Sequence, residues 1–259
     1  MEQNNRMTEN EYGTATIQNY LKNALKVFHD FCVENGIRYS LWDGSMIGAV
    51  RHKGFIPWDD DVDIIFDRKN YNKFLKACSQ KQHEFRITKR LWIRRVEFDN
   101  NIWASMDGGV IDMLVFDNIP DSEFQYRIKV LLLKLLQGMM KDLKKIDIHR
   151  FSLFYRPLVI ITALLGVPFS DAQKFRWYDR LSKWGNGRKT EYKGVFNEPF
   201  AYVGKIRYPN YNDKCLMMPF EDIQAMVYEK YDEYLTLTFG DYMTPPPQKE
   251  RAAQHIVVE

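Results

Sequence analysis

Apolar positions recur at helical spacing from Thr16 onward, at Ile17, Tyr20, Leu21, Ala24, Phe28, Phe31 and Cys32, and predict a first helix that stops near Gly36. A short apolar segment over 37–42 predicts a strand, and a second strand is expected where Asp61 and Asp63 run into Ile64, Ile65 and Phe66. Helical spacing returns over 68–82 with Tyr71, Phe74, Leu75 and Cys78. Four further strands follow at 85–88, 91–98, 102–106 and 110–116, with Asn100-Asn101 and Gly108-Gly109 as turns. Strands alternating with helices predict a mixed α/β (α+β) architecture, a mixed sheet flanked by helices.

The second half is more helical. A helix is expected over 124–143, strongly apolar at 131–136 and followed by Lys141, Lys144 and Lys145. A second apolar run, 158–169, is interrupted by Gly166 and Pro168 and is too short to span a bilayer. Ser170 and Asp171 predict the start of another helix through Phe175, Tyr178, Leu181 and Trp184, which gives a helical insertion over about 121–185. Residues 196–211, with Lys205 and Arg207, suit strands and loops lining a site. Pro219 is expected to open a helix with Glu221 and Asp222 in its first turn, and a shorter helix over 231–239 ends at Gly240. The tail carries Pro245 to Pro247, then Lys249, Arg251 and His255.

A chain of 259 residues with motifs from 42 to 247 suits one domain over 16–259, after a polar segment, 1–15, expected to lack structure. Lys and Arg number 37 against 34 acids, and a net charge of +3 without a dense basic run argues against nucleic acid as a partner. Three scattered cysteines fit neither a zinc site nor a disulfide framework. With no apolar leader at the N-terminus, the expected location is the cytoplasm, including the inner face of its membrane.

The chemistry concentrates in WDGSMIGAVRHKGFIPWDDDVDI, residues 42–64. Residues two apart on a strand share a face, so Asp61 and Asp63 point together while Val62 points inward. Two such carboxylates repel unless a cation lies between them, and a hard divalent ion with oxygen ligands suits them, Mg2+ first and Mn2+ as the alternative. Upstream, Gly44 and Ser45 sit where a strand turns into a helix. There, backbone N–H groups bind phosphate, glycine permits close approach, and the hydroxyl adds a ligand or a cap. Arg51, His52 and Lys53 follow with positive charge for phosphate, and Trp58 adjoins the acids. Asp59 and Asp60 are either further ligands or supporting partners, with only Asp59 sharing the parity of Asp61. Downstream, Asp112 stands alone in an apolar strand, where a charge is costly unless paired or metal-bound, and is the third carboxylate.

The segments Asp43-Gly44-Ser45, Gly48 to Trp58 and Asp59 to Ile64 resemble the signature of the LicD family, phosphocholine transferases and relatives that include the fukutin-related enzymes of animals. The resemblance continues through Gly109 to Asp112 and in Phe239-Gly240-Asp241-Tyr242-Met243 with Pro245 to Pro247, and is weak over 118–190. It implies a nucleotidyltransferase-like fold with a Gly-Ser turn, an Asp-x-Asp strand and a later carboxylate. It further implies a CDP-alcohol donor such as CDP-choline, and a glycan or lipid-linked glycan acceptor whose hydroxyl receives the phospho-alcohol as CMP leaves. Asp43, Gly44 and Ser45 would then hold substrate phosphate, Asp61 and Asp63 the metal, and Asp112 would be a third ligand or the base. CDP-ethanolamine, CDP-glycerol and CDP-ribitol are alternative donors. Transfer of a nucleotide with pyrophosphate release, and a non-catalytic binding protein on the same fold, are the competing functions. Residues 124–169 are either packing or an interfacial element that holds the chain against a membrane.

Overall fold

The structure, a computed structural model, describes residues 11–99, 102–103, 108–145, 148–150, 152–153, 156–211 and 213–253. In chain order its elements are α1 (Ala15–Glu34), β1 (Ser40–Leu41), α2 (Asp43–Ile47), β2 (Val62–Asp67), α3 (Arg68–Gln80), β3 (Phe85–Arg90), β4 (Ile93–Phe98) and β5 (Ile111–Asn118). There follow α4 (Glu123–Met139), α5 (Arg156–Gly166), α6 (Asp171–Ser182), β6 (Tyr192–Val195), β7 (Tyr208–Pro209), β8 (Cys215–Phe220), β9 (Ile223–Tyr228) and α7 (Tyr231–Phe239). Helices and a largely sequence-distant sheet pairing give the α+β class expected from the pattern.

The chain divides into two compact units. The first comprises residues up to 88, 94–114 and those from 212 on. Its strands follow the order β1-β2-β5-β4-β3, with β1 antiparallel to β2 through Ser40 opposite Ile65 and Leu41 opposite Ile64. The core is aromatic: Phe28 of α1 packs at 5.0 Å from Tyr39 and 5.4 Å from Phe74, and Phe66 lies 5.4 Å from Phe74. Each such pair contributes on the order of 1 kcal/mol beyond its burial. His29 is a satisfied core histidine, its Nδ1 2.9 Å from the Tyr39 hydroxyl. Asp67 caps α3 by accepting from the Asn70 N–H at 2.7 Å.

Of the segment 1–15 expected to lack structure, residues 1–10 lie outside the described residues. Thr14 is buried, with its hydroxyl donating to the Pro57 carbonyl at 2.7 Å. The helix expected from Pro219 is instead the hairpin β8–β9, paired from Cys215 opposite Tyr228 to Phe220 opposite Ile223. Phe220 at the end of β8 is buried, and so are the alternate residues Ala225 and Val227 of β9, a period of two. Glu221 makes the two-residue turn at φ +55°, which a helical first turn does not allow. The hairpin is fastened to β1 by the Tyr228 N–H, which donates to Ser40 Oγ at 2.9 Å. In the expected strand over 102–106, Ile102 and Trp103 form a turn and the remainder lies outside the described residues, as do Asn100-Asn101 and His255.

The second unit comprises 89–93 and 115–211. The end of β5 pairs antiparallel with β6 through Phe116 opposite Val195, and β6 with β7 through Lys193 opposite Tyr208. The helical insertion belongs here: α4 and α6 enclose a core of Tyr126, Leu133, Phe175, Tyr178 and Phe196. Ser170 and Gln173 form a full capping box at the start of α6. Arg207, expected to line a site, has a structural role: its NH2 is 2.6 Å from Glu123 and its guanidinium lies over the Tyr126 ring.

Candidate active site

The site is assembled in the first unit by the return of the chain from β1 to β2. The Trp42 N–H donates to the Asp63 carbonyl at 2.9 Å, extending the β1–β2 pairing by one step. Asp43 then takes φ +43°, a left-handed conformation that aspartate tolerates better than most residues, at a cost on the order of 1 kcal/mol. Helix α2 passes directly into a π-helical turn, Gly48–His52, which closes at Lys53 with φ +58°. Single π turns recur at functional sites because they redirect side chains within a helix.

Ser45 is buried, and its Oγ accepts from the Asp63 N–H at 3.0 Å. Its hydroxyl therefore ties the helix to the acidic strand. Gly44 has a specific reason to be glycine: a Cβ there would lie 2.7 Å from Oδ2 of Asp59. The missing side chain makes room for a carboxylate. Gln18 of α1 steadies the approach to the acids, its side-chain amide donating to the carbonyls of Ile56 at 3.1 Å and Asp59 at 2.8 Å.

Four carboxyl groups gather around this turn. Burial, then the Asp61 charge, pushes Asp43 up to about 7. Burial holds Asp63 well above the ordinary carboxylate range, with Asp61, Asp43, Asp112 and Asp59 adding to it. Asp59 is raised by burial and by Asp61, with which its carboxyl shares a hydrogen bond. Val62 is fully buried between Asp61 and Asp63, and Asp60 is 1% exposed. Low-dielectric surroundings disfavour each charge and the neighbours disfavour it again, so the cluster calls for protons or a cation.

Asp112 stands beside Asp63 but is already engaged. Its Oδ1 lies 2.5 Å from Nε of Arg95 and its Oδ2 3.1 Å from an Arg95 NH2, across a register that sets Arg95 opposite Asp112. Of the two ways to compensate a charge in an apolar strand, pairing or a metal, the structure shows pairing with an arginine.

The basic side of the site is held by the C-terminal segment. Arg51 donates from Nε to Nε2 of His52 at 2.9 Å and from NH1 to the Tyr242 carbonyl at 2.7 Å. Burial and then Arg51 lower the His52 pKa, which keeps that imidazole neutral as an acceptor. Glu221 pins the same loop: its N–H donates to the Lys53 carbonyl at 2.7 Å, and its carboxylate accepts from the Phe55 N–H at 3.0 Å. Gly54 lies against that carboxylate with no room for a Cβ. Lys53 is exposed. Trp58 is flanked by Tyr12, ring centroids 5.7 Å apart, and by Arg251, whose guanidinium carbon is 5.1 Å from the Trp58 ring centre.

Among the described residues no group of three or more His, Cys, Asp or Glu side chains is placed to hold a metal ion as the structure stands. The donor set nevertheless suits a hard divalent cation. It is all oxygen, it carries excess negative charge, and Oδ2 of Asp59 is buried without a hydrogen-bond partner.

Residues 36–129, which contain all of these carboxylates, match the family described as the LicD/FKTN/FKRP nucleotidyltransferase domain. Over those residues the chain is similar to LicD-family domains. It is 27% identical to the lipopolysaccharide cholinephosphotransferase LicD of Haemophilus influenzae over 90% of its own length and 92% of that protein's. It is also 38% identical to an uncharacterised protein of Rickettsia typhi, over 38% of this chain and 28% of that one. A third relative, an uncharacterised protein of Rickettsia prowazekii, is 48% identical over 15% of each chain.

Within the matched residues, the structure brings Asp43, Asp59, Asp61, Asp63 and Asp112 together. Arg51, His52, Lys53 and Trp58 form the adjoining loop. Asp43, expected to bind phosphate, is a carboxyl among carboxyls and would reach an anion through a cation or as a protonated donor. Arg95 had no sequence signal of its own, and the signals at Glu221 and Arg251 did not point to this loop; the resemblance over 239–247 covers the segment that carries the Tyr242 carbonyl.

Proposed function

We propose that this protein transfers phosphocholine from CDP-choline to a hydroxyl of a lipopolysaccharide-type glycan and releases CMP. The observation that carries the reading is the carboxylate cluster beside an arginine-bearing loop, in a chain similar over nine-tenths of its length to a named cholinephosphotransferase. Mg2+ or Mn2+, held by Asp61 and Asp63 with Asp59 or Asp43 adjoining, would neutralise charge on the donor phosphates.

The chain's own residues supply the rest. Ser45 fixes Asp63 by its backbone, and Gly44 lets Asp59 close on the turn. Arg51, oriented by the Tyr242 carbonyl and by neutral His52, faces the leaving phosphate with Lys53. In the transfer the acceptor oxygen forms a bond to the phosphorus that bears choline. The bond from that phosphorus to the CMP oxygen breaks, and the hydroxyl proton passes to a carboxylate. Asp112 is the group for that proton, on condition that Arg95 yields one of its oxygens as acceptor and donor enter.

A thermal-shift comparison of CDP-choline, CDP-ethanolamine, CDP-glycerol and CDP-ribitol, each with and without Mg2+, tests the donor. A ligand that binds the folded state raises the apparent melting temperature. CDP-choline with Mg2+ gives the largest rise under this reading, and a shift from CTP alone would favour nucleotide transfer.

A further inference from the structure

No single described helix is long and apolar enough to cross a membrane. Helix α5 nevertheless has the reverse of a water-soluble helix's pattern. From residue 157 to 170 it and the following turn carry no charge. The buried positions of α5 are the small ones, Thr162, Ala163 and Gly166. Gly138 of α4 sits against the Thr162 side chain, and Gly166 against the Met139 backbone, each without room for a Cβ. The large residues face outward: Ile161, Leu164 and Leu165 are each 54% exposed and Val167 is 73% exposed.

In water the large apolar residues are the ones buried. Packing through small residues with branched aliphatics outward is how helices pack when their solvent is lipid. Eleven residues rise only about 16 Å, about half of a hydrocarbon core of ~30 Å. The axis then turns by 110° into α6. At the bend Phe169 packs on Trp177, ring centroids 4.8 Å apart, and Trp177 is 38% exposed, an aromatic of the kind that favours a membrane–water boundary. Beside it Leu132, Leu135, Trp177 and Trp184 line an apolar groove of about 470 Å³ with Arg180 at its edge.

The charge around this face says what covers it. Residues 141–183 hold nine Lys or Arg against four Asp, an excess of +5, while the whole chain has +3. Lys144 and Lys145 before α5, and Arg176 and Arg180 after it, are exposed. A second copy of the chain would bring like charges together across a twofold contact. Anionic headgroups would not.

We propose that α5, with the 167–169 turn and the start of α6, inserts into one leaflet of an anionic bilayer while Lys144, Lys145, Arg176 and Arg180 lie at the headgroups. The full chain is sedimented with vesicles of phosphatidylcholine and phosphatidylglycerol, and with vesicles of phosphatidylcholine alone. The wild type binds, more strongly to the anionic vesicles at low salt. Ile161→Glu with Leu165→Glu, both on an exposed face, reduces binding at least tenfold with an unchanged urea midpoint. Lys144→Gln with Lys145→Gln reduces it severalfold at low salt and little at high salt. Brominated lipid quenches wild-type tryptophan fluorescence more than that of Trp177→Phe. Absence of wild-type binding at low salt, or equal binding by the glutamate variant, overturns the proposal. A lipid-free dimer dispersed by those glutamates, with no vesicle binding, overturns it in favour of a second copy.

Discussion

Arg95 of β4 and Asp112 of β5 face each other across the sheet and meet through both carboxylate oxygens, at 2.5 and 3.1 Å. Their side chains are 8% and 19% exposed, so removing one partner leaves a poorly solvated charge. Arg95→Met is expected to cost about 3 kcal/mol, and Arg95→Met with Asp112→Leu to recover most of it. Urea unfolding of the two variants checks this, and a loss from Arg95→Met below about 1 kcal/mol would show the pair to be energetically idle.

The same pair frames the catalytic question. If Asp112 chiefly accepts the acceptor proton, Asp112→Asn leaves CDP-choline binding with Mg2+ near wild type and lowers transfer by at least about a hundredfold. If it is chiefly a ligand, binding and transfer fall together. Calorimetric titration at saturating Mg2+, beside single-turnover transfer, separates the two, and wild-type values in both would make Asp112 a bystander.

Gly44 and Asp59 are expected to be coupled. A Cβ at Gly44 would lie 2.7 Å from the Asp59 carboxylate, so Gly44→Ala displaces it and lowers transfer at least tenfold. In an Asp59→Ala background the clash is gone, and the stability cost of Gly44→Ala should shrink to less than half. Equal costs in both backgrounds would place the effect in the backbone instead.

Metal-free protein should lose stability as pH rises. The Asp43 carboxyl is raised from 3.8 to about 7, so the folded state holds a proton that the unfolded state has released. The stabilisation is full below about pH 4 and is lost as pH rises through about 7. Asp63 and Asp59, raised for the same reasons, act in the same direction. Melting temperature in chelator should therefore fall from pH 5 to pH 8, and Mg2+ should restore it at pH 8 far more than at pH 5. Asp63→Asn should melt higher than wild type in chelator at pH 8. A metal-free curve that rises over this range would contradict the cluster's electrostatics.

The acidic block was legible because its chemistry is local. Gly44, Ser45, Asp61 and Asp63 stand within about twenty residues, and alternation alone suggested that Asp61 and Asp63 point together. Helices α1, α3 and α7 were legible from apolar spacing, and α6 from Ser170. Arg95 was not, because its partner depends on a β4–β5 register that no local pattern encodes. Glu221 was misplaced on a helix because Pro219 and the acids after it imitate a helix start, whereas the period of two in β9 decides for a hairpin. Ser45 was expected to meet a ligand or cap its helix, and its contact with the Asp63 N–H instead joins helix α2 to strand β2 across eighteen residues.

The most direct measurement is product analysis by phosphorus NMR after incubation with CDP-choline, Mg2+ and a truncated lipopolysaccharide acceptor. The account predicts CMP and a glycan phosphocholine diester in equal amounts, and neither from Asp61→Asn or Asp63→Asn protein that remains folded. CDP-choline left intact, with pyrophosphate and a nucleotidylated acceptor formed in a parallel incubation that holds CTP in its place, would contradict it.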